Sequence, residues 1–134
     1  MFKRKTISTF SEIELKIMGM RMTEVYRIVC NGDLSELSMY YERYTGKKDE
    51  YDLIKSASCS TEAILELLNR CNIAKWDGFF GKNPIGVRDG YMFDFTAQID
   101  GESVRASGSN NYPKNYREFR DEIIRLLNEQ TDGE

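Results

Sequence analysis

Residues 91–108, YMFDFTAQIDGESVRASG, decide the fold class of this chain. Apolar and polar residues alternate strictly from Phe93 to Ile99, just before Asp100-Gly101. This alternation predicts a β-strand with one buried face, because successive side chains of a strand point to opposite sides. Asp100-Gly101 is typical of a two-residue hairpin turn, so the stretch predicts an antiparallel hairpin. Its buried face is expected to carry Tyr91, Phe93, Phe95, Ala97, Ile99, Val104 and Ala106.

A second hairpin is indicated by residues 23–44, TEVYRIVCNGDLSELSMYYERY. Asn31-Gly32 separates two β-rich runs and predicts a two-residue turn. That turn would place Arg27 opposite Glu36, a pairing of opposite charges. One face would then carry Tyr26, Ile28 and Cys30 together with Leu37, Met39 and Tyr41.

The segments on either side of this hairpin are less clear. Residues 6–22 fit a helix capped at Thr9, but the alternation of Ile13, Leu15 and Ile17 favours a strand, which could pair with the hairpin. Residues 45–58, TGKKDEYDLIKSAS, are predicted to be a polar connection with a short extended piece at 51–54.

Two amphipathic helices complete the predicted elements. Residues 60–72, STEAILELLNRCN, have Ser60 as the predicted N-cap, and Asn72 suits a left-handed C-terminal cap. Residues 115–130 open with Asn115 and carry Glu118 three positions later, in the manner of a capping box. Antiparallel hairpins with two helices packed on one face predict a two-layer α+β fold.

The composition indicates one domain over residues 1–134. A net charge of −3, with both signs mixed along the chain, gives no basic surface of the kind that binds nucleic acid. No apolar stretch approaches the length of a membrane span, and the first residues do not resemble a secretory leader. We therefore expect a cytoplasmic protein with neither membrane nor nucleic-acid partners.

The chain contains no histidine, which excludes imidazole metal sites and the Ser-His-Asp and Cys-His nucleophile pairs. Its three cysteines, Cys30, Cys59 and Cys71, are too few for a four-thiolate zinc site. We expect three free thiols, at least two of them buried. The sequence thus predicts no metal and no cofactor.

Two loops could form a functional surface. Residues 75–90 and 108–113 flank the 91–108 hairpin, so both are expected to emerge at the same end of it. The predicted binding surface consists of Trp76, Asp77, Arg88, Asn110, Asn111 and Tyr112. The alternative is structural: Trp76 would fill the open end of the core, and Asp77 would only be a turn residue.

The stretch KWDGF at 75–79, followed by VRDGYMFDFTAQIDGESVRASGSNNYPKNYREF at 87–119, resembles the C-terminal part of small uncharacterised bacterial proteins. In those proteins a W-D-G-F loop precedes a D-G-x-x-F strand, a hairpin and a G-S-N-x-Y-P segment before a final helix. The resemblance implies a bacterial cytoplasmic α+β domain and no catalytic residues.

The residue types present favour a binding or protein-interaction module without catalytic activity, with an unknown protein or a small polar ligand as partner. The alternative is a small enzyme that uses carboxylate, Tyr or Cys chemistry in the loop cleft near Trp76 and Asn110. Convergent titratable groups in a concave site would favour the enzyme, and an exposed apolar patch would favour the module.

Overall fold

The computed structural model describes residues 6–19, 22–44, 49–82 and 91–132. These residues form seven strands, two α-helices and one 3-10 helix at Ile73–Trp76, which confirms the α+β class. The helices are α1 (Thr61–Arg70) and α2 (Tyr116–Asp132). The strands are β1 (Phe10–Met18), β2 (Thr23–Asn31), β3 (Leu34–Tyr44), β4 (Asp49–Ser60), β5 (Phe79–Gly81), β6 (Met92–Ile99) and β7 (Glu102–Ser109).

The described strands make one sheet in the order β4-β3-β2-β1-β6-β7-β5. Neighbouring strands are antiparallel except β5 and β7, which are parallel. β1 lies at the centre between β2 and β6, and this position buries Ile13, Leu15 and Ile17. The strand prediction for residues 6–22 is therefore confirmed over Phe10–Met18, and the helix alternative is wrong.

The hairpin of β6 and β7 has the predicted register. Ile99 lies opposite Glu102, and the intervening Asp100 and Gly101 have φ angles of 50° and 77°, as a type I′ turn requires. The residues predicted to be inward are buried, with the exception of Tyr91, which precedes β6 and is exposed. Because the turn and the buried face both agree with the prediction, the two ends of this hairpin lie beside each other, as the sequence predicted.

The hairpin of β2 and β3 turns one residue later than predicted. Asn31 pairs with Leu34, so the turn is Gly32-Asp33, with Gly32 at a φ of 75° in the first turn position. The predicted pairing of Arg27 with Glu36 is wrong, because Arg27 lies opposite Ser38. The register differs by an even number of residues, so the predicted inward face is preserved.

Strand β4 extends far beyond the predicted piece at 51–54, and the prediction of a polar connection there is wrong. Met39 pairs with Lys55, and Tyr40 pairs with Leu53, so Ile54 is the extra residue of a β-bulge. β4 is the terminal strand of the sheet, where only one side needs a strand neighbour, and it accommodates polar residues for that reason.

The helix ends agree with the sequence at α1 and differ at α2. The Ser60 hydroxyl accepts the N–H of Ala63 at 3.1 Å, and Asn72 has a φ of 54°, so both predicted caps are confirmed. The capping box predicted for α2 is wrong. The Asn115 amide donates to the carbonyl of Cys71 (3.2 Å), and the Glu118 carboxylate accepts from Arg70 (2.8 Å), so both side chains tie α2 to α1.

One cluster of buried residues joins the inward side chains of the sheet to both helices. α1 contributes Ile64, Leu67 and Leu68, and α2 contributes a second group: Tyr116, Phe119, Ile123 and Leu127. The three cysteines are free thiols, as predicted. Only Cys71 is buried, however, and the prediction of at least two buried thiols is wrong, since the β-strand positions of Cys30 and Cys59 leave them half-buried.

Candidate functional site

Trp76 belongs to the hydrophobic core. Its side chain is 2% exposed, and its ring packs against Phe95, Tyr116 and Phe119, with ring centroids 4.8, 6.1 and 5.6 Å away. The indole Nε1–H donates to the carbonyl of Lys114 at 3.0 Å, one residue beyond the 108–113 segment. The structural alternative for Trp76 is therefore the correct one, because a side chain with so little exposed surface offers no contact area to a partner.

Asp77 is also engaged within the fold. Its carboxylate accepts the backbone N–H of Arg105 at 3.0 Å, and the N–H of Gly78 donates to the Arg105 carbonyl, also at 3.0 Å. These two bonds extend the pairing of β5 with β7. Asp77 thus holds the segment after Trp76 against the sheet, as its position beside a glycine suggests.

Asn110 and Asn111 close the open end of the β6–β7 hairpin. Asn110, with a φ of 54°, donates its N–H to the Tyr91 carbonyl (2.9 Å) and accepts the Tyr91 N–H on Oδ1 (3.2 Å). The Asn111 amide donates to the carbonyl of Lys82 at 3.3 Å. Residue 82 and Tyr91 therefore both lie beside the 110–111 segment, as the hairpin topology predicted. Arg88 lies outside the described residues.

Tyr112 leads from this end of the hairpin into a cavity. Its ring stacks on Tyr116 with centroids 4.5 Å apart, and its hydroxyl donates to the Tyr91 carbonyl at 3.3 Å. Of the predicted surface residues that the structure describes, Tyr112 is the one that lines this cavity.

We call the cavity the tyrosine pocket. Its volume is about 640 Å³, and it lies between the start of α2, the ends of β1 and β2, and the residues that flank the β6–β7 hairpin. Four tyrosines, two arginines and two glutamates line it, together with a few apolar and amide side chains. The lining residues are Ile17, Glu24, Tyr26, Tyr91, Tyr112, Pro113, Asn115, Tyr116, Arg117, Glu118, Arg120 and Ile124.

Two buried tyrosines form the inner wall of the tyrosine pocket. The Tyr26 hydroxyl donates to Glu24 Oε2 at 2.7 Å, and burial together with this bond raises the pKa of Tyr26. Burial, with a smaller contribution from Tyr112, also raises the pKa of Tyr116. Both hydroxyls are therefore protonated at neutral pH: that of Tyr26 donates to Glu24, and that of Tyr116 is able to donate to an acceptor.

The charged groups of the tyrosine pocket differ in their partners. Arg120 donates to the adjacent Asp121, with nitrogen–oxygen distances of 2.9 and 3.2 Å, and Glu118 is paired with Arg70. Within the described ranges, neither Arg117 nor Glu24 has an ion-pair partner. The described residues also contain no group of three or more acidic or cysteine side chains that could hold a metal ion.

The opposite face of the sheet carries charges that neutralise one another. Arg27 lies 3.1 Å from Glu12 and 3.5 Å from Glu14, and Lys16 Nζ lies 3.0 Å from Glu42 Oε1. A smaller cavity of about 260 Å³ is present on this face, but its charged lining residues, Glu14 and Arg27, already form an ion pair. The tyrosine pocket is therefore the better candidate for a binding site.

Sequence reasoning missed Glu24, Tyr26 and Arg120. A signal was present in β2, where the inward alternation that buries Tyr26 and Ile28 also places Glu24 on the same face. A carboxylate at an inward position near the end of a strand is unusual and indicates a polar cavity. Arg120 carried no such signal, because its neighbourhood depends on where α2 crosses the sheet.

The chain matches no protein-family model, no curated protein and no solved structure. The resemblance of residues 75–119 to small bacterial proteins thus stays a prediction. In the part of the chain that the structure describes, neither helix combines the length and the apolar character that a membrane crossing needs.

Proposed function

We propose that this chain is a non-catalytic binding module, and that a small polar ligand or a protein segment enters the tyrosine pocket. The observation that carries the proposal is the cavity itself. Its volume of about 640 Å³ lies within the usual range of ligand sites, and its wall combines aromatic rings with a few charged groups. Aromatic rings supply large contact area at low entropic cost, and the charged groups supply orientation.

An enzymatic role has less support. Burial raises the pKa of Tyr26 and Tyr116 in the tyrosine pocket, and also the pKa of the thiols Cys59 and Cys71, which opposes activation of these groups at neutral pH. The Asp77 carboxylate is occupied by a backbone N–H. These groups suit structure and recognition better than proton transfer.

We further propose that residues 1–134 are a single domain of a bacterial cytoplasmic protein, with α1 and α2 forming one layer over one face of the sheet. The support for the layering is the single core cluster that joins both helices to the inward side chains of the sheet. The support for the location is the presence of three free thiols, which persist in reducing compartments.

Binding can be tested by ligand-observed NMR with a library of small polar and aromatic fragments, followed by amide-shift mapping on the isotope-labelled chain. We expect hits to shift amides near Tyr26, Tyr112 and Tyr116. Tyr112→Ala should weaken these hits about tenfold or more, because it removes a stacking ring. Tyr51→Ala, an exposed tyrosine on the opposite face, is the matched control and should leave affinity unchanged. Hits that map outside the tyrosine pocket would contradict the proposal.

A further inference from the structure

We infer that the tyrosine pocket selects a monoanionic aromatic ligand, with the ring against the tyrosines and a carboxylate at the first turn of α2. This inference rests on the proposed function. It starts from the position of α2, whose first residues, Tyr116, Arg117 and Glu118, all line the pocket. The first N–H groups of a helix lack partners inside the helix and attract anions.

The backbone donors at this helix start are only partly used. The N–H of Tyr116 donates to Pro113, and that of Phe119 donates to Asn115. Among the described residues, the N–H groups of Arg117 and Glu118 have no acceptor. Two adjacent backbone donors are thus available where the helix meets the pocket.

A buried side chain gives a second, independent indication of a ligand. Tyr116 is only 5% exposed, yet within the described part of the chain its hydroxyl has no hydrogen-bond partner. Among the described residues no fully buried side-chain nitrogen or oxygen lacks a partner, so the unpartnered Tyr116 hydroxyl is accessible, and the cavity that Tyr116 lines is where an acceptor can reach it. Since its raised pKa keeps this hydroxyl protonated, it can donate to an acceptor oxygen of the ligand.

The ionised lining residues favour an anion with a single charge. Arg117 and Arg120 lie three residues apart on the helix surface that faces the pocket, and Arg117 has no ion-pair partner among the described residues. Planar guanidinium groups bind carboxylates well. Glu118, in the same turn, is paired with Arg70, and Arg120 is paired with Asp121. Glu24 on β2 supplies a negative charge elsewhere in the wall, which disfavours a dianion and directs the carboxylate towards α2.

Three probes that share one ring test the inference: benzoate, benzyl alcohol and benzylammonium. Each is titrated into the isotope-labelled chain of residues 1–134 at pH 7 and followed by amide shifts. We expect benzoate to bind about tenfold more tightly than benzyl alcohol, to shift the amides of Arg117 and Glu118, and to lose affinity with added salt. Arg117→Gln should remove most of this preference, whereas Arg125→Gln, a matched change farther along α2, should preserve it.

The outcomes distinguish a failure of the anion preference from a failure of the binding pocket itself. If benzyl alcohol binds as tightly as benzoate, or benzylammonium binds more tightly, the anion preference is overturned while the binding pocket remains. If none of the probes shifts pocket amides at millimolar concentration, the inference is overturned and the proposed function loses its support. If Arg117→Gln and Arg125→Gln weaken benzoate equally, the effect is general charge attraction and the assigned site is wrong.

Discussion

Replacing Trp76 with alanine should lower the free energy of unfolding by about 3–5 kcal/mol, the usual cost of deleting a large buried aromatic side chain. The magnitude follows from the surroundings of the indole. Edge-on contacts to Phe95 and Phe119 would be lost, and a cavity would open between α2 and the sheet. The carbonyl of Lys114 would also lose its N–H donor, which adds about 1 kcal/mol.

Two further variants make the measurement specific. Phe80→Ala removes an aromatic ring four residues away in the chain, but that ring is 67% exposed, so we expect a change within about 0.5 kcal/mol. Trp76→Phe keeps a ring in the core and loses the N–H, so its effect should fall between those of the two alanine variants. Urea unfolding should be followed by far-UV circular dichroism and not by tryptophan fluorescence, because Trp76 is the single tryptophan of the chain and its replacement removes that signal.

One result would refute this reasoning. If Trp76→Ala and Phe80→Ala destabilised the protein equally, by less than about 1 kcal/mol, the indole would not be a core element. The interpretation of Trp76 as part of a binding surface would then regain its support.

Three other perturbations follow from the structure. Burial raises the pKa of the Cys71 thiol to about 11 in the folded protein. As the pH rises, the unfolded chain therefore loses the thiol proton at a lower pH than the folded chain does. Unfolding free energy should therefore fall as pH rises from 9 to 11, less steeply in Cys71→Ala, and equal urea-derived slopes would contradict this. A methyl group at Gly108 would overlap the Asn111 carbonyl, so Gly108→Ala should cost about 1–3 kcal/mol in thermal unfolding, while Ser107→Ala should be near neutral. Hydrogen bonding from Tyr51 lowers the pKa of Glu42 in the folded protein. The ionised Glu42 therefore stabilises the fold at pH values above its unfolded pKa of 4.5, and this stabilisation is lost as the pH falls through its lower, folded pKa. The stability gap between wild type and Glu42→Gln should shrink on acidification, and a constant gap would refute this role.

Local chemistry predicted those parts of the fold in which turn and alternation agree. In the β6–β7 hairpin, Asp100 and Gly101 both adopt positive φ, so one turn type satisfied the pattern and the register followed. At 31–33 two turns competed. Asn31-Gly32 suits a type I′ turn, but Gly32-Asp33 also forms a good turn with glycine in its first position. Which of these two turns forms depends on how β3 packs against its neighbours, and the residues of the turn do not contain that information.

The candidate site was predictable only where it follows chain connectivity. Tyr112 was found because the ends of a hairpin must lie together, and that condition holds before any packing is known. Glu24 and Arg120 are far apart in sequence and line one cavity because α2 crosses β2 at a particular place. That crossing depends on how core side chains such as Phe119 and Ile123 fit the sheet, which no local pattern contains.

The bulge at Ile54 has a consequence for self-association. If two copies of the chain joined their sheets edge to edge about a two-fold axis, each residue of β4 would pair with the residue of the other copy that lies equally far from that axis. Tyr51 and Leu53 face outward, whereas Lys55 and Ala57, on the other side of the bulge, face inward. A symmetric pairing centred on the bulge residue Ile54 would therefore oppose an outward side chain to an inward one, Leu53 to Lys55 and Tyr51 to Ala57. Although Tyr51 and Leu53 are 53% and 58% exposed, the bulge thus disfavours edge-to-edge pairing of identical copies about Ile54 at this edge of the described sheet.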